Sequence, residues 1–211
     1  MTTTLANRGG TPPIVLGLVI ANVAVFALQM FAGVGFTKAF ALWPWVSVSS
    51  GAGGVGPTLF APWQLVTYAF LHGGLLHLAF NLYGLWFFGQ HIEAVWGARR
   101  FAIFYAVCVI GAGIVQLIVA TNSGELYPTV GASGGVFGVL LAFGLMYPNA
   151  RLMLLFPPVP LQAKYFVLIY AGLELWLGVT GTAEGVAHFA HLGGMLFGLL
   201  LIVYWGTLGR R

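Results

Sequence analysis

The sequence predicts an all-α polytopic membrane protein, a bundle of six transmembrane helices with both termini cytoplasmic. Composition is the first reason. Of the 211 residues, 60% are hydrophobic and 6% charged, and the mean hydropathy is +0.96, whereas a soluble domain is about 45–50% apolar and about 25% charged. So few charges cannot cover a water-facing surface, which excludes the soluble, disordered and nucleic-acid-binding classes. The second reason is that six apolar stretches approach the ~20 residues a spanning helix needs. The third is that the basic residues segregate to one side once those stretches are threaded through a bilayer.

In order, the stretches are 14–31, 69–88, 101–120, 133–147, 165–180 and 187–204. The fourth and fifth are short, so their ends are expected in protein rather than lipid. The first follows a short tail, residues 1–13, with one basic residue, Arg8, and no small-residue cleavage site follows it. It reads as a retained helix, not a signal peptide. With the N-terminus inside, Arg8, Arg99, Arg100, Arg151, Lys164, Arg210 and Arg211 are cytoplasmic and only Lys38 is external, in keeping with the positive-inside rule. Basic residues scattered at helix ends give the net charge of +4 and make no nucleic-acid patch.

The longest connection, residues 32–62, is too aromatic for a solvated linker, with Phe36, Phe40, Trp43, Trp45 and Phe60 in it and Trp63 just beyond. It is expected in the interface or against the bundle. No internal repeat is visible, which disfavours a transporter built from inverted halves. The single cysteine, Cys108, allows no intrachain disulfide and reads as small core or lipid-facing filler.

Polar side chains within spanning helices are costly and mark function by default. Here they are His72, His77, Asn81, His91, Glu93, Ser133, Glu174, His188 and His191. No aspartate occurs in the chain, so a Ser-His-Asp triad cannot be built. His77 and Asn81 in HLAFN share one helix face; their bland reading is interhelical hydrogen bonding. Ser133 in GASGG opens the fourth stretch, where it is either a helix cap or a nucleophile beside backbone N–H groups suited to an oxyanion. His191 lies in AHLGGMLFG, where Gly194 and Gly198 form a face that lets helix backbones approach. Gly134 and Gly138 repeat that spacing, so packing of the two faces would bring Ser133 to His191, a nucleophile to a base. Alternatively, His188 and His191 chelate a metal with His77, or the histidines hold haem. Neither alternative explains Ser133 and its glycines, and no HExxH motif is present.

HLAFN, GASG and AHLGGMLFG, in that order on the second, fourth and sixth stretches, resemble the rhomboid family of intramembrane serine proteases. PWQLVTYAFLHGGLLHLAFN looks like that family's first-loop end and second helix. GQHIEAVWGARRF, with Glu93 and Gly97, is similar to the second-to-third helix connection. The likeness runs from about Leu42 to Gly198 and implies a single six-helix rhomboid-like domain over residues 1–211. Matched residue by residue, it implies Ser133 as nucleophile and His191 as general base of a Ser-His dyad, with His77, Asn81 and the Ser133 N–H stabilising the oxyanion. His188 is the rival base, but only His191 has glycines three and seven residues on. His72 matches a structural histidine, and His91 has no motif behind it.

Two positions depart from the pattern. Phe137 stands where many members have tyrosine, and Gln64 follows Trp63 where arginine is common. The resemblance also implies lateral substrate entry beside the fifth helix, with Phe80 and Trp176 as gate residues and the glycine-containing loop 178–186 as a lid. Glu174 has no assigned role; it either pairs within the bundle or faces lipid protonated.

The implied activity is cleavage of transmembrane segments of other membrane proteins, with the lipid bilayer and transmembrane substrate proteins as partners and no cofactor or metal. The alternatives are an inactive rhomboid-like protein that binds membrane helices, although this chain keeps both nucleophile and base, and a His-ligated metal or haem protein. The absence of a targeting extension points to a bacterial inner membrane.

Overall fold

Glycine and proline divide the apolar runs into helices. In the computed structural model, residues 12–50, 54–124, 126–153, 158–181 and 187–206 are described. They form α1 (Pro13–Phe40), the strands β1 (Ser47–Ser50) and β2 (Gly54–Thr58), and α2 (Gln64–Thr67) with a 3₁₀ turn Tyr68–Phe70. Then follow α3 (Leu75–Trp96), α4 (Ala98–Ser123), α5 (Ser133–Met146), β3 (Arg151–Met153), β4 (Pro160–Gln162), α6 (Ala163–Thr180) and α7 (His188–Tyr204).

Among the described residues three helices, Pro13–Phe40, Ala98–Ser123 and Ala163–Thr180, are long and apolar enough to cross a membrane. Gln64–Phe70 with Leu75–Trp96 makes a fourth if that bent pair is one span, and Ser133–Met146 and His188–Tyr204 are shorter apolar helices. α7 packs on α4, α5 and α6, and α3 packs between α1 and α5.

Three boundaries differ from expectation. The first helix does not end near residue 31; it bends at Gly33, whose φ of 74° suits glycine, and runs on to Phe40. The second stretch is not one straight helix, because a 100° bend separates Gln64–Phe70 from Leu75–Trp96. The sequence there is His72-Gly73-Gly74, and Gly74 takes an extended conformation with φ 167° and ψ 172°. The connection after the second helix is mostly helical: α3 runs to Trp96, α4 starts at Ala98, and only Gly97 interrupts them.

The irregular segment that follows α1 does pack on the bundle, as its aromatics suggest. Leu42 and Thr129 exchange backbone hydrogen bonds of 3.0 and 2.8 Å. The Trp43 and Trp63 indoles donate to the carbonyls of Lys38 and Ala39, and the Trp45 ring stacks on Phe60. Gln64 is buried at the root of this segment, where Oε1 accepts from the N–H groups of Trp43 and Ala61 and Nε2 donates to the Leu59 carbonyl. A neutral amide that donates and accepts thus anchors the loop.

The start of α1 is held from a distance. Pro12 offers no side-chain cap, and the buried Glu93 carboxylate of α3 accepts from the N–H of Ile14 at 2.9 Å and of Val15 at 2.8 Å. A carboxylate at a helix N-terminus satisfies otherwise unpaired donors and complements the helix dipole.

Candidate active site

The glycine faces of α5 and α7 do pack together. A Cβ on Gly194 would run into the Gly134 carbonyl oxygen, and one on Gly138 would meet Cys108 Sγ and, at 3.0 Å, the Gly194 carbonyl oxygen. Cys108 is therefore core filler at the α4–α5–α7 junction. At this backbone separation Ser133 Oγ lies 2.7 Å from His191 Nε2. Ala132 occupies the cap position of α5, and Ser133 is the first helical residue. Its hydroxyl is thus directed to the imidazole and not to capping. The first intrahelical bond of α5 is donated by the Val136 N–H to Ala132, so the N–H groups of Ser133, Gly134 and Gly135 have no intrahelical acceptor.

The other nitrogen of His191 is also engaged. Glu174 of α6 is buried, and its Oε2 lies 2.9 Å from His191 Nδ1 and 2.7 Å from His188 Nδ1. The Phe137 ring lies parallel to the His191 imidazole, 4.3 Å between centroids and 4° between planes, so it keeps the stacking role a tyrosine would have. Donor atoms of Glu174, His188 and His191 all fall within 4.8 Å of one another, the set a divalent ion would take. Their N–O separations are nevertheless those of direct hydrogen bonds, shorter than the ~3.3 Å between ligands that a tetrahedral ion with ~2.0–2.1 Å bonds imposes.

Across from this cluster stands α3. The Gly73 N–H donates to His77 Nδ1 at 3.3 Å. That nitrogen is therefore the acceptor and Nε2 carries the proton. Nε2 faces the Ser133 side: a Cβ on Gly131 would lie 2.9 Å from His77 Nε2 and 3.5 Å from Ser133 Oγ. Gly131, with φ 129°, leaves open the space between the two side chains. Asn81 is buried and donates one amide hydrogen to the His77 carbonyl at 2.8 Å. It is thus partly the helix-bound residue of the bland reading, with its second amide hydrogen left for another acceptor.

His77, Asn81, Ser133, Phe137 and His191 together line a cavity of about 390 Å³. Tyr127, Pro128, Thr129 and Val130 form one wall, within a non-helical stretch held by the Leu42–Thr129 pair and by the Gly131 N–H donating to the Tyr68 carbonyl.

The remaining expected residues divide. Phe80 is 62% exposed and lines the cavity, whereas Trp176 is 65% exposed on α6 and lies outside that lining. Of the expected lid, Gly178 lies within α6 against His188 and Phe189, and Gly181 is the left-handed residue ending α6; residues 182–186 lie outside the described residues. His72 is structural: Gln29 accepts from its N–H and donates to its carbonyl. His91 is held by the Phe87 carbonyl at 2.7 Å and packs on Phe143. Sequence reasoning left Glu174 and Glu93 without partners; the signal was available in principle, since an acidic residue within an apolar helix needs a buried partner.

A helical, multi-pass membrane architecture with a serine hydroxyl against a buried imidazole defines the class, and comparison with known proteins gives the family. The Rhomboid domain family matches residues 60–207. Presenilin-associated rhomboid-like protein A, mitochondrial, of Danio rerio is 31% identical over 66% of this chain and 37% of its own length. Rhomboid protease GluP of Bacillus subtilis is 31% identical over 64% of this chain and 24% of its own length. Rhomboid protease GlpG of Yersinia pestis is 27% identical over 97% and 66%. The chain belongs to the rhomboid family. It spans less than half the length of the mitochondrial relatives it matches. Because similar relatives are mitochondrial as well as bacterial, the family supports an integral, multi-pass membrane protein and does not support the bacterial inner membrane expected from the sequence.

Proposed function

We propose that this chain is an intramembrane serine endopeptidase that cleaves transmembrane segments of other membrane proteins with Ser133 and His191. The observation that carries the proposal is the 2.7 Å contact between Ser133 Oγ and His191 Nε2 at the wall of a cavity large enough for several waters or a peptide segment. In the reaction, Ser133 Oγ bonds to the scissile carbonyl carbon while its proton passes to His191 Nε2. The C–N bond then breaks and His191 returns the proton to the leaving amine. Water attacks the acyl-enzyme, again losing a proton to His191, and Ser133 is released. The oxyanion of each tetrahedral intermediate is held by the His77 Nε2–H, the Asn81 amide and the Ser133 N–H.

The same reading places six spans in a single domain over residues 1–211, with both termini cytoplasmic by the distribution of basic residues. α5 has 14 residues and is about 21 Å long against a ~30 Å hydrocarbon core. With its C-terminal end at the cytoplasmic boundary, Ser133 stands below the outer surface. Water reaches it through the cavity, and irregular backbone is tolerated at that depth because Tyr127, Pro128, Thr129 and Val130 line that space while Thr129, Gly131 and Ala132 are buried. A substrate helix must unwind locally, since its hydrogen bonds otherwise hide the scissile carbonyl.

The test is labelling of the purified protein by a fluorescent fluorophosphonate, alongside cleavage of a reporter transmembrane substrate in liposomes. Wild type should label and cleave, Ser133→Ala and His191→Ala should do neither, and chelators should change nothing. Unlabelled, folded wild type would overturn the reading.

A further inference from the structure

The dyad uses Ser133 and His191 and leaves a buried carboxylate and a second buried histidine unaccounted for. Resting on the proposed serine-protease reading, we infer that Glu174, held by His188, is a positioning residue that sets the tautomer and orientation of His191, so that Ser133 and His191 work with a third, carboxylate member. Glu174 faces the bundle with 8% exposure while its neighbours Leu173 and Leu175 are 48% and 52% exposed, so α6 turns one acidic side chain inward and aliphatic ones outward. The 18-residue helix has no other acidic residue.

Proton counting determines what the cluster does. One oxygen, Glu174 Oε2, meets two imidazole Nδ1 atoms at 2.7 and 2.9 Å. An ionised carboxylate is acceptor-only, and each neutral imidazole carries one N–H. Both contacts are satisfied at once when both histidines carry the proton on Nδ1 and donate it to Glu174. His191 Nε2 is then the bare nitrogen, and it is the atom 2.7 Å from Ser133 Oγ. The opposite tautomer would place an N–H against the serine and remove the base.

Orientation follows from the same contacts. Phe137 fixes the plane of the His191 ring, and Glu174 fixes its rotation within that plane. When His191 takes the Ser133 proton, the Nδ1–H to Oε2 bond becomes charge-assisted on both sides, without movement of either group. His188 supplies the second donor to the carboxylate. Its own Nε2 is buried without a partner among the described residues, so it holds Glu174 and does not approach the serine.

The experiment compares the full-length wild type, Glu174→Ala, Glu174→Gln, His188→Ala and a lipid-side control, Leu173→Ala. The fluorophosphonate labelling rate is measured at saturating and subsaturating probe, with ¹⁵N-histidine NMR on the same samples. Wild-type His191 should be protonated on Nδ1. Glu174→Ala should mix the tautomers and slow the chemical step, not probe binding, by at least about 10²-fold, toward the ~10⁴-fold seen when the triad Asp of a serine protease is replaced by its amide.

Glu174→Gln, whose amide offers donors as well as an acceptor, should be slowed at least as much as Glu174→Ala and should shift His191 toward protonation on Nε2. His188→Ala should lose less than Glu174→Ala, and Leu173→Ala nothing. A wild-type His191 protonated on Nε2, or Glu174→Ala labelled at the wild-type rate, would overturn the inference. So would a slowed Glu174→Ala that keeps the wild-type tautomer. Wild type that is not labelled at all would instead overturn the protease reading itself, and the two failures are thereby distinguished.

Discussion

The two walls of the cavity are made of similar residues and wired differently. On the α5–α6–α7 wall, both nitrogens of His191 are bonded to side chains, Ser133 on one and Glu174 on the other, and its ring face is covered by Phe137. On the α3 wall the polar groups are tied to backbone: His77 accepts from Gly73, and Asn81 donates to His77. Neither ring nitrogen of His72, just before α3, has a partner among the described residues. The first wall has its hydrogen bonds made before any substrate arrives. The second keeps an imidazole N–H and an amide N–H unused and aimed at the cavity. A base must be preset in tautomer and angle, whereas oxyanion donors are needed only once negative charge develops, so unequal wiring suits the proposed proteolytic role.

The largest expected effect lies on the wired wall. Ser133→Ala or His191→Ala should each cost about as much as losing both, on the order of 10⁶-fold in kcat as for a serine protease whose nucleophile and base act as a unit. Reporter cleavage in liposomes measures this, and additive losses would contradict a shared role. On the α3 wall, His77→Ala should reduce kcat by ~10²–10³. Asn81→Ala should reduce it less, because one of its amide hydrogens is already committed to backbone. If Asn81→Ala were the more damaging, the assignment of His77 as the main side-chain donor would be reversed.

Substitutions that change packing should separate stability from chemistry. Gly194→Ala places a Cβ against the Gly134 carbonyl, and overpacking of this kind costs roughly 1–3 kcal/mol. Its apparent melting temperature in detergent should drop, and labelling should fall with it because the Ser133–His191 distance depends on the same close approach. Smaller still is Glu93→Gln, which replaces a charged two-oxygen cap on α1 by one acceptor and should cost ~1 kcal/mol. Its labelling rate should equal that of wild type, since Glu93 is remote from the cavity lining.

Much of this was readable in the chain. GASGG and AHLGGMLFG carry small residues at four-residue spacing, and such spacing predicts a close helix crossing whatever else surrounds it; Gly134, Gly138, Gly194 and Gly198 meet as expected. Helix ends were less legible. The bend at His72-Gly73-Gly74 and the continuation of α1 past Gly33 depend on φ and ψ values that glycine permits but does not require. Glu174 was visible as an anomaly, one acid in an apolar helix, but nothing in the spacing of residues 174, 188 and 191 says that one carboxylate oxygen meets two imidazoles.

By itself the sequence determined that the chain belongs in a membrane and which helix faces can approach, because composition and periodicity act locally along the chain. It also singled out Ser133 and His191 as a pair that could meet, since their motifs carry the glycines that let the helices approach. Only the tertiary structure decided which nitrogen of which histidine faces Ser133, what Glu174 and Glu93 hold, and that Phe80 lines the cavity while Trp176 is not part of its lining. Those outcomes depend on how far each helix is rotated and displaced against its neighbours. A hydrogen bond is gained or lost over less than an ångström, a precision set by the packing of the whole bundle.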